Sequence, residues 1–328
     1  MATPQSLPII DISPFLPGTS VTVEEKKQCA HALAVACRDR GFFYLTNHGL
    51  PRRQTEEILD LCREFFTAAG EREKVAVARQ DAGIGIGDGA RGYQRVGENV
   101  TQGQKDWHEA VDFYRDIDPG EPPYDLLMGR NMWPEYPSML RPKYEAYVKD
   151  LLKLGEIVVR AMAYALDPTD SEVFVNATKE SFWVMRMIAY PPLPDAEADS
   201  GGVSCGTHTD YGCVTFLLAD DTEGALQVKD RSGSWLKADP IAGAFVVNIG
   251  DMMERWTNGL WKSTQHRVIH RGKHGRVSVP FFFEPDFDAK IKPLATCVSR
   301  TGGAELYKEI QYGEHLLGKV RGNFNGKT

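Results

Sequence analysis

The sequence lacks the features that mark several large classes of protein. Its six cysteines show no Cys-x-x-Cys spacing, so reduced thiols are expected instead of a disulfide framework. The net charge of −7 comes without a stripe of basic residues, so nucleic acid is not an expected partner. No apolar run approaches the roughly 18 residues of a membrane span, and the N-terminus has no charged segment followed by an apolar one. We therefore expect a cytoplasmic protein without a membrane partner.

What the chain does contain is typical of a globular protein with its own core. Of its 328 residues, 42% are hydrophobic and 25% are charged, which is the ordinary range for soluble domains. The length is normal for one large β-rich barrel with added helices. Oligomeric state does not follow from these numbers, and a monomer is the favoured expectation.

The spacing of apolar residues changes along the chain. Helical spacing predicts helices over residues 23–40, after Pro51 and over residues 141–166, and a last helix over 304–317. From Phe182 onward, short runs rich in β-branched and aromatic residues predict strands. The predicted strands are 182–190, 214–218, 225–228, 245–249, 264–269 and 277–283. This pattern indicates a mainly β protein with helices, whose antiparallel strands form a sandwich or a barrel.

We divide the chain into two regions that are expected to form one structural unit. Residues 1–120 have mixed α/β character, and residues 121–328 contain the long support helix and the strand-rich core. The glycine-rich segment from Asp81 to Gly89 is interpreted as a loop, because it lacks the preceding strand and the lysine of a phosphate-binding loop.

A candidate metal site is present just before the strand predicted at 214–218. In extended chain, His208 and Asp210 lie on the same face, roughly 7 Å apart at their Cα atoms. His266 is the best third ligand, since His270 and His274 border a polar turn where a solvated histidine is usual. Taken alone, His208 and Asp210 could equally be a surface ion pair. Two histidines and a carboxylate with open positions opposite suit non-haem Fe(II).

A candidate acid-binding pair follows in the next strand. Arg276 and Ser278 alternate at the start of a strand-like run, so both face the same side. If that side is a barrel interior, an unpaired guanidinium there is costly unless an anion completes it. The fork of donors on arginine fits a carboxylate of a co-substrate.

The order of these motifs resembles the Fe(II)- and 2-oxoglutarate-dependent dioxygenases of the isopenicillin N synthase-like family. The similarity runs over nearly the whole chain and is nearest to little-characterised plant and fungal 2-oxoglutarate dioxygenases. Further motifs fall in the family's order: Leu7 to Asp11, Gly41 to Gly49, Tyr190 to Pro192, Asn248 to Asp251 and Trp256 to Gly259.

The resemblance implies a fold, a set of cofactors and roles for residues. The fold would be a double-stranded β-helix, or jelly roll, with a helical N-terminal region and a C-terminal helix. Fe(II), 2-oxoglutarate and O2 would be required, with ascorbate as a stimulant. The catalytic iron ligands would be His208, Asp210 and His266, and the keto acid would be bound by Arg276, Ser278 and Tyr190. Ile188 departs from the asparagine of several plant members, which leaves open the hydrogen bonding around the keto acid.

The implied reaction couples decarboxylation of 2-oxoglutarate, to succinate and CO2, with hydroxylation or a related C–H oxidation of a small organic molecule. Candidate substrate contacts come from segments that look pocket-facing in relatives: Tyr93, Arg95, Glu109, Asp112 and Phe283. This mixture of polar and aromatic side chains suggests a small polar or heteroaromatic substrate.

Three other functions are compatible with part of this pattern. An oxidase of the isopenicillin N synthase type has the same metal ligands but takes its electrons from the substrate and needs no 2-oxoglutarate. A zinc hydrolase could use the same ligands, although Arg276 and Ser278 would then have no role. A jelly roll that only binds a ligand would be favoured by an incomplete ligand set. Succinate release coupled to turnover separates the 2-oxoglutarate-dependent enzyme from the oxidase.

Overall fold

A computed structural model describes residues 6–117, 120–195 and 202–324. The helices are α1 (Val23–Asp39), α2 (Arg52–Ala68), α3 (Glu71–Ala76), α4 (Leu140–Leu166), α5 (Val173–Asn176), α6 (Asp251–Trp256), α7 (Ala295–Arg300) and α8 (Tyr312–Phe324). The strands are β1 (Ile9–Asp11), β2 (Phe42–Thr46), β3 (Gly92–Gln94), β4 (Val100–Thr101), β5 (Gln104–Lys105), β6 (Glu109–Tyr114), β7 (Val184–Tyr190), β8 (Cys205–His208), β9 (Val214–Ala219), β10 (Leu226–Lys229), β11 (Trp235–Lys237), β12 (Phe245–Ile249), β13 (His266–Val268), β14 (Arg276–Phe283), β15 (Lys290–Ile291) and β16 (Ile310–Gln311).

Two sheets form the centre of the molecule. One has eight strands in the order β1-β2-β12-β9-β14-β7-β6-β3, and the other has four in the order β11-β10-β13-β8. The pair β1–β2 is parallel, and the central pairs of both sheets are antiparallel. The mainly β fold with helices that the sequence predicts is therefore confirmed. Strands β1, β2, β3 and β6, which come from the first 120 residues, extend the same sheet as the later strands.

Helix α4 is the long support helix, and it begins one residue before the predicted start. Its buried residues include Tyr147, Leu151 and Val158, which follow the helical spacing of the sequence. Pro142 lies in the first turn, where the absent N–H removes no helical hydrogen bond. No helix within the described ranges combines the length and apolar content that a bilayer span requires.

The contact between α4 and the eight-stranded sheet depends on one glycine. A Cβ placed on Gly155 would lie 2.4 Å from Cδ2 of Phe283, whose ring is buried against this helix. We expect Gly155→Ala to lower the free energy of unfolding by about 1–3 kcal/mol, because overpacking outweighs the better helix propensity of alanine. Urea unfolding measures this change. Gly318→Ala in α8, where a Cβ would meet nothing within 4 Å, should instead stabilise by roughly 0.5–1 kcal/mol. Equal effects at both glycines would contradict the packing argument.

The C-terminal helix begins later than predicted. The sequence predicts a helix over 304–317, whereas α8 begins at Tyr312. The side chain of Asn258 binds the intervening segment, since its Nδ2 donates to the carbonyl of Ala304 at 2.9 Å and its Oδ1 accepts the N–H of Leu306 at 2.7 Å. These tertiary hydrogen bonds, followed by the short strand β16, replace the helical bonds that the local sequence favours.

Candidate active site

The two candidate metal-ligating histidines lie opposite each other on adjacent strands. His208 on β8 pairs with His266 on β13 in the register of the four-stranded sheet, and their ring centroids are 4.2 Å apart. The Nδ1–H groups donate to the carbonyls of Gly206 at 2.7 Å and Thr264 at 3.2 Å. Because Nδ1 is occupied in each ring, Nε2 keeps its lone pair for a metal.

Asp210 completes this group just beyond the end of β8. Its Oδ1 lies 3.7 Å from Nε2 of His208 and 3.6 Å from Nε2 of His266. Its Oδ2 accepts hydrogen bonds from Thr215 at 2.5 Å and Asn248 at 2.6 Å. These two donors are opposite each other on the paired strands β9 and β12. The eight-stranded sheet therefore holds in place the carboxylate of Asp210, which follows strand β8 of the four-stranded sheet. Asn248 is a supporting residue that the sequence marked only as part of a family motif.

The protonation states of Asp210 and His266 suit metal binding. Burial acts to lower the pKa of His208, but Cys205 and Asp210 raise it to about 10, so a metal must displace a proton from this imidazole. Burial acts to raise the pKa of Asp210, but the two imidazoles and the hydrogen bonds from Asn248 and Thr215 hold it below its ordinary value. Burial lowers the pKa of His266 to about 4, so the imidazole is neutral at neutral pH. A metal requires a deprotonated carboxylate and a neutral imidazole. Two histidines and one carboxylate form the donor set that suits Fe(II).

Arg276, Ser278 and Tyr190 lie together on the interior face of the eight-stranded sheet. Arg276 on β14 is opposite Tyr190 on β7, and its guanidinium carbon lies 4.8 Å from the tyrosine ring centroid. All three residues are buried. Burial raises the pKa of Tyr190 to about 12, so its hydroxyl remains a neutral donor. Ile188, which replaces the asparagine of several plant members, is opposite Ser278.

Several polar atoms of this cluster are buried without a partner. Within the part of the chain that the structure describes, Nε and Nη1 of Arg276 make no hydrogen bond, and Oγ of Ser278 makes none except an interaction with the hydroxyl of Tyr190. Buried polar atoms without a partner are rare in native proteins and mark a missing ligand or water. A carboxylate of 2-oxoglutarate would accept from all three atoms, so these residues fit that co-substrate.

A cavity of about 360 Å³ opens beside the candidate metal ligands. It is large enough for a small organic molecule. Strands β6, β7 and β14 provide one wall, and Tyr312, Leu316, Lys319 and Val320 of α8 provide another. Its charged lining includes Asp106, Asp112, Arg186, Asp210, Glu284 and Lys319.

The structure brings only one of the five candidate substrate contacts to this cavity. Asp112 lines it, whereas the other four point to the opposite face of the sheet or to the surface. The hydroxyl of Tyr93 donates to Glu109 at 2.7 Å, and Lys74 pairs with the same carboxylate at 2.9 Å. Arg95 is exposed and pairs with Glu71.

Asp112 lines the cavity and the other candidate residues on strands do not, because side chains along a strand point alternately to its two faces. On β6, Asp112 faces the interior, so Glu109 at an odd offset faces outward. On β14, Arg276 and Ser278 face inward and Phe283 outward; Phe282 and the following Glu284 line the cavity. Counting in steps of two from the inward-facing Arg276 would have predicted Phe282 and Glu284 as cavity residues from the sequence alone.

Four charged residues of the cavity lining were missed by the sequence analysis: Asp106, Arg186, Glu284 and Lys319. Of these, Arg186 and Glu284 lie on or directly after strands of the eight-stranded sheet. Arg186 on β7 donates to Asp112 at 2.6 Å and to Asn99 at 3.3 Å. Glu284 follows β14, and its Oε2 accepts the N–H of Cys213 at 3.1 Å. Burial, and then the charge of Asp210, raise the pKa of Glu284 to about 8. Both residues are inward by parity, which is the signal that could have found them.

A second group of potential ligands lies beside the first. Atoms of Asp106, His108 and Cys205 lie within 4.8 Å of one another. Both carboxylate oxygens of Asp106 already accept hydrogen bonds, from Thr101 at 2.7 Å and from the N–H of Gly206 at 2.8 Å. These bonds fix the backbone of β8 just before His208, so we assign Asp106 a supporting role.

Two family models match the chain. One describes the N-terminal region of a non-haem dioxygenase in morphine synthesis and matches residues 7–136. The other describes the 2OG-Fe(II) oxygenase superfamily and matches residues 179–285. The second range contains the candidate metal ligands together with Arg276, Ser278 and Tyr190.

Relatives that match over nearly their whole length are named as a hydroxylase or as a 2-oxoglutarate-Fe(II) type oxidoreductase. A homoarginine-6-hydroxylase of Oryza sativa subsp. japonica is 41% identical over 332 residues, covering 98% of each chain. A 2-oxoglutarate-Fe(II) type oxidoreductase, hxnY, of Emericella nidulans is 32% identical and covers 98% of this chain and 91% of its own.

Solved structures show the same fold. A full-length Neurospora crassa protein, crystallised in complex with α-ketoglutarate and thymine, superposes with a TM-score of 0.82 at 26% identity, covering 96% of each chain. The jelly-roll core expected from the sequence is therefore confirmed, and so is the requirement for Fe(II) and 2-oxoglutarate. The chain belongs to the 2-oxoglutarate- and Fe(II)-dependent oxygenase superfamily and is an oxidoreductase that acts on a small molecule.

Proposed function

We propose that His208, Asp210 and His266 hold Fe(II), and that Arg276, Ser278 and Tyr190 bind the distal carboxylate of 2-oxoglutarate. The buried donor atoms of Arg276, which lack a partner among the described residues, are the observation that carries this assignment. When bound, iron and 2-oxoglutarate together supply the oxidising chemistry that reacts with O2 and a substrate C–H bond. The protein orients both groups, and the buried walls of the cavity limit access of water.

The substrate that we propose is homoarginine or a similar amino acid with a cationic side chain. Support comes from relatives named homoarginine-6-hydroxylase, which are about as long as this chain and 41% identical in Oryza sativa subsp. japonica and in Arabidopsis thaliana. The cavity volume of about 360 Å³ suits a molecule of this size. Its lining carries charges of both signs, as a zwitterion with an additional cation requires.

Coupled turnover tests this proposal. The protein is incubated with Fe(II), ascorbate and 2-oxoglutarate, and succinate and hydroxylated product are measured by mass spectrometry. We expect homoarginine to raise succinate release at least about 10-fold above the rate without substrate, because a bound substrate couples decarboxylation to C–H oxidation. Thymine, which the Neurospora crassa protein binds, serves as an uncharged, heteroaromatic comparison.

The outcomes separate the parts of the proposal. Stimulation by homoarginine supports both the reaction and the substrate if it yields the 6-hydroxylated product or the guanidine and aldehyde into which that carbinolamine breaks down. Stimulation by thymine alone contradicts the substrate class but leaves the iron and co-substrate ligands in place. Homoarginine oxidation that needs Fe(II) but consumes no 2-oxoglutarate would contradict the role of Arg276.

A further inference from the structure

We propose that Glu284 is the specificity residue of the cavity and pairs with the cationic side-chain end of the substrate, next to the carbon that is oxidised. This inference rests on the proposed function, because it assumes a substrate with a guanidinium or ammonium group. It adds the residue that recognises that charge and the direction in which the substrate lies.

Glu284 is a buried carboxylate that has no positive partner in the part of the chain that the structure describes. Its side chain lines the cavity and is 3% exposed. Its hydrogen-bond donors are neutral, the N–H of Cys213 and the hydroxyl of Tyr312. Among the described residues, no lysine, arginine or histidine forms an ion pair with it. A buried carboxylate is costly unless a cation completes it, and a ligand in the cavity can provide that cation.

The other acidic residues of the cavity wall already have a role in an ion pair, in hydrogen bonds to β8 or in the candidate metal site. Asp112 forms an ion pair with Arg186 at 2.6 Å and accepts from Gln94 at 2.9 Å. Asp106 accepts from Thr101 and from the backbone of Gly206. Asp210 belongs to the candidate metal site. Asp106 also has only neutral donors, but its bonds hold the backbone just before His208. Glu284 is therefore the carboxylate that can pair with a substrate cation without breaking an ion pair or releasing the strand that carries His208.

The position of Glu284 is fixed beside the turn that carries Asp210. A Cβ on Gly212 would lie 1.0 Å from Oε2 of Glu284, so the carboxylate occupies the space that a side chain at 212 would fill. Its bond to the N–H of Cys213 places it three residues along the chain from Asp210. The charge recognised by Glu284 thus lies close to the candidate iron ligands.

This location agrees with the position of oxidation in the relatives. In homoarginine, C6 bears the guanidino nitrogen, and the relatives are named as 6-hydroxylases. A substrate oxidised at that carbon must hold its guanidinium next to the metal. Glu284 is placed to bind that group.

The test compares two substrates that differ only in charge. Homocitrulline has the shape of homoarginine, with a neutral urea in place of the guanidinium. Binding to the anaerobic protein loaded with Fe(II) and 2-oxoglutarate is measured by calorimetry for wild type and Glu284→Gln. We expect the variant to bind homoarginine about 10- to 100-fold more weakly, because a charge-assisted hydrogen bond is lost. Its affinity for homocitrulline should change less than about 3-fold.

A matched control separates charge recognition from loss of stability. Glu254 accepts the N–H of Ser263 and the hydroxyl of Tyr307, both at 2.7 Å, which are the donor types at Glu284, and it differs in pairing with Lys262 at 3.5 Å. It does not line the cavity. Glu254→Gln should leave both affinities unchanged. Gly212→Ala should act like Glu284→Gln, because the added Cβ displaces the carboxylate.

Each possible result either supports or overturns the role of Glu284 in binding the cation. An equal loss for homoarginine and homocitrulline in Glu284→Gln would overturn the proposal, since both retain the α-ammonium group and only the side-chain charge differs. If wild type binds neither amino acid, the proposed substrate fails, and n-butylguanidinium and n-butylurea are used as probes instead. Preference of wild type for the guanidinium, lost in Glu284→Gln, would then still support Glu284 as the cation-binding residue; no preference would overturn it.

Discussion

Replacing Asp210 with alanine is expected to abolish iron binding and all turnover. The carboxylate is buried between the two histidines, with Oδ1 within 3.7 Å of both Nε2 atoms. Its removal should weaken Fe(II) binding by more than about 100-fold, beyond the 10- to 100-fold that outer hydrogen-bonding partners cost. Asn248→Ala, which removes one donor to Asp210, should fall within that smaller range. Anaerobic titration with Fe(II) and 2-oxoglutarate measures both, through the weak visible charge-transfer band of a ferrous keto-acid chelate.

The assignment of His266 as the third metal ligand is tested by replacing each of two buried histidines with alanine. His266→Ala should remove the visible band, because its Nε2 faces Asp210. His270 is also buried, but its Nε2 lies 2.6 Å from the carbonyl of His274, outside the ligand group. His270→Ala should therefore keep the band. A band that survives in His266→Ala and disappears in His270→Ala would show that the wrong histidine has been assigned.

Replacing Arg276 with methionine is expected to separate co-substrate binding from iron binding. The KM for 2-oxoglutarate should rise at least about 30-fold, since losing one partner of a buried charge pair costs about 2–5 kcal/mol. Fe(II) affinity should not change. Without 2-oxoglutarate, the variant should be more stable than wild type by about 1 kcal/mol, because Nε and Nη1 are buried without partners. Steady-state kinetics and urea unfolding measure these effects.

Ligand-induced stabilisation provides a second measurement of the same residue. At 100 times its dissociation constant, 2-oxoglutarate should stabilise wild type by about 2.7 kcal/mol and Arg276→Met at the same concentration by much less. Arg267→Met is the control, because Arg267 stacks on Trp235 at 4.0 Å and bonds Gln227, away from the cavity lining. A rise in KM for the organic substrate alone would contradict the assignment of Arg276 to 2-oxoglutarate.

Local sequence patterns were sufficient to predict the helices and strands that depend mainly on the spacing of nearby apolar residues. Helix α4 follows from apolar spacing over 27 residues, and the strands β9, β12 and β14 follow from short β-branched and aromatic runs. The order of the motifs identified the family, which the matched models and full-length relatives confirm. Such features depend on residues close together in the chain, so the sequence contains them directly.

Features that depend on contacts between distant segments were not accessible in this way. The start of α8 is moved to Tyr312 by Asn258, which binds Ala304 and Leu306 from more than forty residues away. Similarly, Thr215 and Asn248 meet at Asp210 only because β9 and β12 are paired. Local propensity carries no information on either arrangement.

The sequence by itself determined the family, the mainly β fold and the residue types of the candidate iron and 2-oxoglutarate ligands. Tertiary structure decided which faces of the strands point inward, and so removed Phe283 from the cavity wall and added Glu284. It also showed that Asp112 is neutralised by Arg186, while no cation of the described residues pairs with Glu284. The reason is physical: a residue's type is fixed along the chain, but its burial and its partners depend on which strands become neighbours.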